Sequence, residues 1–129
     1  MSAKWLDNHI AEIKKCQAQL NEVAEENHVH RISVLSRMLI FIGKVSAELS
    51  EEYKKIYARR KQVHAEAYIA ATKNKAAEAE LAVVQLRLDE AEAYGSMKRW
   101  NNAFESTKEE INALKYKVKV NIEDGSNRG

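Results

Sequence analysis

The residues best suited to chemistry in this chain are cations. Lys54, Lys55, Arg59, Arg60 and Lys61 fall close together, interleaved with Tyr53 and Tyr57, and Lys73 and Lys75 follow. Across residues 53–75, seven Lys or Arg stand against the single acid Glu66, a local charge of +6. Such a run can hold a phosphate backbone by releasing its counterions, with an affinity that falls with salt and depends little on sequence. Tyrosines between the cations are a residue type on which unpaired bases stack. The competing account is a solvated helix face, partly neutralised by Glu51 and Glu52 one turn earlier. Composition accommodates both.

Other reactive residue types do not assemble into a constellation. His28 and His30 stand two apart, a spacing that suits one face of a strand, yet they sit at a helix junction; His9, Cys16 and His64 are elsewhere. Neither a metal site nor a cofactor is expected. No Gly-rich phosphate loop, HExxH or CxxC spacing occurs. The acid pairs Glu25-Glu26 and Glu51-Glu52 read as solvated helix surface, so the chain is not expected to be an enzyme. The opening Met-Ser-Ala-Lys-Trp-Leu-Asp places charge before any apolar run, unlike a signal peptide. The most apolar stretch, Met38 to Ile42, is bounded by Arg37 and Lys44, whereas a membrane span needs about 20 residues. With a single cysteine there is no intrachain disulfide framework. These features lead us to expect a cytoplasmic protein with no membrane partner.

The elements that must position the cations are helices. Charged residues reach 31% and proline is absent, so nothing forces a helix to stop. The expected fold class is all-α: a long antiparallel, coiled-coil-like helical hairpin plus a shorter N-terminal helix, in an oligomer. One helical domain is expected over residues 1–120, with helices at about 3–27, 33–71 and 75–119 and a disordered polar tail at 121–129. Leu6, Ile10, Ile13 and Leu20 form the stripe of the first helix. Asn27 to Arg31 is the first turn, and Ser33 caps the second helix. From there Leu35, Leu39, Ile42, Ser46, Leu49, Tyr53, Ile56, Arg60, Val63, Ala67 and Ala70 make a nearly unbroken 3–4 seam. Met38, Ile40, Phe41 and Val45 add apolar surface off that seam, so this end should pack against several helices at once.

Thr72 to Lys75 is polar and is read as a reversal, with Asn74 capping the next helix; one continuous helix is the alternative. A new seam runs Ala77, Leu81, Val84, Leu88 and Ala91. Its register slips around Tyr94-Gly95-Ser96 and restarts as Met97, Trp100, Phe104, Thr107, Ile111, Leu114 and Val118. Arg60, a charge in the seam, should either open it or pair with Glu78 or Glu80 across the hairpin. A two-helix hairpin buries too little surface to be stable alone, so homo-oligomerisation is expected. The core and oligomer contacts are assigned to Leu35, Leu39, Phe41, Ile42, Leu49, Ile56, Leu81, Leu88, Trp100, Phe104, Ile111 and Leu114.

A helix carrying Tyr53-Lys54-Lys55-Ile56-Tyr57-Ala58-Arg59-Arg60, then a polar junction and a second long helix, resembles the small helical recombination accessory proteins of bacteriophages, with the UvsY-like recombination mediators the nearest type. The stretch Arg99-Trp100-Asn101-Asn102-Ala103-Phe104, followed by Glu110-Ile111-Asn112-Ala113-Leu114-Lys115, is similar to the ends of short coiled-coil proteins encoded near phage annealing genes. The likeness covers residues 35–119. It implies a homo-oligomer in the host-cell cytoplasm that binds single-stranded DNA and serves a recombinase or annealing protein, with Lys54, Lys55, Arg59 and Arg60 on phosphates. The chain departs from that pattern at its end, Glu123-Asp124-Gly125-Ser126, which is neither basic nor aromatic. The alternatives are a coiled-coil scaffold or host-protein inhibitor without nucleic acid, and a membrane-surface helical module.

Overall fold

A computed structural model describes residues 2–127. Within them the chain is all-helical: α1 (Ser2–Glu22), α2 (His28–Ala70), α3 (Lys75–Ala82) and α4 (Val84–Asn127). Among the described residues no helix is long and apolar enough to cross a membrane. The chain divides into two compact units rather than the one domain expected. The first joins the residues up to Ser46 with those from Trp100 onward; the second is Ala47–Arg99.

In the first unit α1 and the end portions of α2 and α4 share a core of Ile13, Cys16, Val34, Leu35, Met38, Ile42, Val45, Ile111 and Leu114. Three helices converge because the start of α2 is apolar on more than one face, and each face finds a neighbour. His9 on α1 meets the Phe41 ring, and Glu12 pairs with Arg37. On the other side Ser46 hydrogen-bonds Asn101, and the Phe104 ring lies against Gly43. A Cβ at Gly43 would meet Phe104 Cε2 at 3.2 Å, so this helical glycine admits the ring. Cys16 joins the α1 stripe as a buried residue, and Val45 is fully buried although it lies off the α2 seam. Thr107 is buried on the α4 face.

The first turn falls earlier than expected, because Asn27 rather than Ser33 begins α2. The His30 N–H donates to Asn27 Oδ1 and the Arg31 N–H to the Asn27 carbonyl, an Asn N-cap. Arg31 reaches back to the Leu20 and Val23 carbonyls, satisfying the open end of α1. Nor is residues 121–127 a disordered tail: α4 continues to Asn127, since one glycine, Gly125, costs only about 1 kcal/mol in a helix and no proline intervenes. Residues 128–129 of that segment lie outside the described residues.

In the second unit residues 47–70 of α2 run antiparallel to 84–99 of α4, with Tyr53 against Tyr94 and Arg60 against Glu90. The reversal sits at 71–74. Asn74 adopts left-handed backbone (φ 50°, ψ 49°) and its carbonyl accepts from the Glu78 N–H; its side chain makes no cap. Asn is among the few residues tolerant of that conformation. Asn74→Ile should therefore destabilise the chain by about 1–2 kcal/mol, read as an earlier thermal midpoint by circular dichroism.

The seam of α3 and α4 differs from expectation. Ala77, Leu81, Val84, Leu88 and Ala91 are all exposed, and the residues turned inward are Ala79, Val83, Leu86, Glu90, Ala93 and Met97. These continue, at uninterrupted 3–4 spacing, into Trp100, Phe104, Thr107, Ile111 and Leu114. There is thus no register slip at Gly95, which lies inside α4. What reads as a slip is the crossing from one apolar stripe to a second one on the opposite face. The helix is interrupted instead at Val83 (φ −113°), whose N–H bonds back to the Glu80 carbonyl. Two consecutive β-branched residues, Val83 and Val84, stand at that point.

Candidate nucleic-acid interface

The cation-bearing part of α2 lies in the second unit. Its seam residues Leu49, Tyr53, Ile56, Arg60, Val63 and Ala67 are half-buried, the side turned to α4. Lys54, Lys55, Arg59 and Lys61 are exposed. At 3.6 residues per turn, Lys54, Ala58, Lys61 and Ala65 form the row farthest from the seam, with Lys55 and Arg59 on one flank. The small alanines leave the lysine stems uncovered.

The structure divides the seven expected cations by what they already hold. Arg60 is committed: its guanidinium bonds the Glu90 carboxylate, with the two side chains 14% and 18% exposed. That hydrogen bond holds the Arg60 pKa above its ordinary value. The partner is neither Glu78 nor Glu80 as expected, because the reversal at 71–74 brings Glu90 abreast of Arg60 and leaves Glu80 to His64 Nε2, 3.3 Å away. Lys75 is committed too. Its Nζ donates to the Ala71 carbonyl at 2.6 Å and the Tyr68 carbonyl at 3.3 Å, closing the end of α2, where a cation also meets the negative end of the helix dipole. Lys55 pairs with Glu51 at 3.5 Å, an exposed contact worth little in water. Among the described residues Lys54, Arg59 and Lys73 have no carboxylate partner, and Lys61 lies 5.1 Å from the Tyr57 ring centroid. Tyr57, partly exposed, is also approached by Arg60 at 5.3 Å.

The ionic lock in the seam yields a direct expectation. Glu90→Ala leaves the guanidinium half-buried and unpaired and should cost about 1–3 kcal/mol. Replacing both Arg60 and Glu90 by leucine should recover most of it, since an apolar pair of similar volume fits such a seam. Urea unfolding midpoints of the single and double variants measure the difference.

The opposite arm is acidic. Glu78, Glu80, Asp89, Glu90 and Glu92 stand on α3 and α4 against Arg87. Arg87 forks onto Glu80 with two hydrogen bonds of 3.0 Å, and this, with His64 nearby, lowers the Glu80 pKa. Sequence reasoning missed this arm's part in the site. Its signal was present in the one-sided charge of residues 78–92.

Compared with family models, curated proteins and solved structures, the chain matches none.

Proposed function

We propose that this chain is a non-enzymatic accessory protein that binds single-stranded nucleic acid along the outward face of α2. The observation that carries the reading is the row Lys54–Lys61, unburied, spaced by alanines and not consumed by carboxylates, next to a partly exposed Tyr57, with Arg59 exposed on the Lys55 flank. Phosphates reward such a row with sequence-tolerant, salt-sensitive binding. A tyrosine at its edge offers a stacking surface. Lys73, beyond the end of α2, extends the cationic track. Arg60 and Lys75 have no part in it. The step to DNA recombination, and to a recombinase or annealing protein as partner, rests on the resemblance of residues 35–119 alone.

A second reading, a coiled-coil scaffold without nucleic acid, is favoured by the exposed apolar stripe of α3 and α4. Mobility shift of a labelled single-stranded oligonucleotide at low and at physiological salt separates the two. Binding that is present at low salt and weakens with added salt supports the first; absence of a shift at low salt removes it and leaves the scaffold.

A further inference from the structure

The single chain covers only one of the two apolar stripes on its last helical arm. Leu81 is 69%, Val84 50% and Leu88 60% exposed. With Ala77 and Ala91 they repeat at four- and three-residue intervals, the spacing of a helix–helix seam, and they lie on the side turned away from α2. An apolar row of this regularity along the charged α3 and α4 is costly to leave in water. We infer that this stripe is the seat of a second copy of the same chain, packed stripe against stripe.

The flanking charges select the occupant. If Leu81 and Leu88 take the first core position of each heptad and Ala77, Val84 and Ala91 the second, the borders are Glu80 and Arg87 on one side and Glu78, Gln85 and Glu92 on the other. Side by side in parallel, each border residue meets the one five positions on in the other copy. Glu80 then faces Gln85, and Arg87 faces Glu92, twice over by symmetry, with no like-charged pair. Antiparallel packing sets Glu78 against Glu92 when Leu88 faces Val84, a repulsion, and Glu80 against Arg87 when Leu81 faces Val84, an attraction, so the borders match a second copy in either direction. Arg87 can turn outward because its contact with Glu80 is half-exposed on both sides. The next two seam positions, Gly95 and Lys98, end the stripe. Leu at the first core position with Val at the second also suits more than two strands, so a higher multiple is compatible.

This seam and the cations are independent. Within the second unit the stripe faces away from α2, and Lys54 and Lys61 face away from α4, so a docked copy leaves the basic row uncovered.

The test is light scattering of the full chain across a range of concentrations, with Leu81→Glu/Leu88→Glu and the milder Leu81→Ser/Leu88→Ser beside it. The expected result is at least twice the 14.7 kDa chain mass for the unaltered protein, and a shift towards the single-chain mass for both variants with helical circular dichroism retained. A single-chain mass for the unaltered protein at every concentration, or unchanged association of a folded serine variant, overturns the proposal. Orientation is read from Val84→Cys under mild oxidation, with the chain carrying only the buried Cys16 as control. Parallel packing gives a self-linked dimer, because like positions then approach within disulfide reach. Linking only when Val84→Cys is mixed with Leu88→Cys or with Leu81→Cys identifies antiparallel packing. Oligonucleotide binding measured on the same folded single-chain variants fails separately from association.

Discussion

Replacing Lys54, Arg59 and Lys61 together by glutamate is expected to weaken binding of a single-stranded oligonucleotide by about 100-fold or more at low salt. Three attractions to phosphate become repulsions at exposed positions, while the seam of α2 is untouched, so the helical content should not change. Changing Arg60 and Lys75 instead should alter affinity only slightly, although both belong to the same basic run. Arg60 already faces Glu90, and Lys75 already closes α2 on the Ala71 carbonyl. The contrast is informative because a generic charge effect would make every cation count alike. Anisotropy titrations of the two variants read the difference. A comparable loss in both would show that the division between committed and free cations does not govern binding.

The largest effect on stability is expected at Leu35. It is 1% exposed in the three-helix core of the first unit. Leu35→Ala should cost about 3–5 kcal/mol, the lost transfer free energy together with a cavity that close packing lets relax only in part. For a chain of this size that lowers the thermal midpoint by about 10 °C or more. Leu81→Ala, chemically the same change, should stay within about 0.5 kcal/mol in dilute solution, because Leu81 is exposed in the single chain. Thermal unfolding of Leu81→Ala therefore also tests whether the stripe of α3 and α4 that carries Leu81 is the outward one.

Much of the fold was legible from periodicity. The α2 seam from Leu35 to Ala67 runs inward as its spacing requires, and Trp100, Phe104, Ile111 and Leu114 lie on the inward face of α4. Leu81 and Leu88 were misplaced for a physical reason. Two apolar stripes share one helix, and spacing reports a stripe without reporting which side meets the partner. The small residues Ala79 and Ala93 and the charged Glu90, which share the inward face of the second unit with Val83, Leu86 and Met97, carry little hydrophobic signal of their own. The apolar excess at Met38 to Val45, which seemed to call for further copies of the chain, is covered largely by α1 and α4 of the same chain, though Ile40 stays exposed. The unshared surface lies instead along Leu81, Val84 and Leu88. Among the candidate cations, sequence marked the run but not its division. Whether a cation is free depends on a carboxylate thirty residues away, as for Arg60, or on a helix end, as for Lys75.

The most direct measurement is the salt dependence of single-stranded oligonucleotide binding by the unaltered full chain. With Lys54, Lys55, Arg59 and Lys61 on phosphates, log affinity should fall against log salt with a slope of roughly −2 to −3 per copy, and Lys54→Gln should make it shallower by about 0.7. No measurable binding at low salt, or binding with a slope near zero that Lys54→Gln leaves unchanged, would contradict the assignment of the outward face of α2 to a nucleic-acid strand.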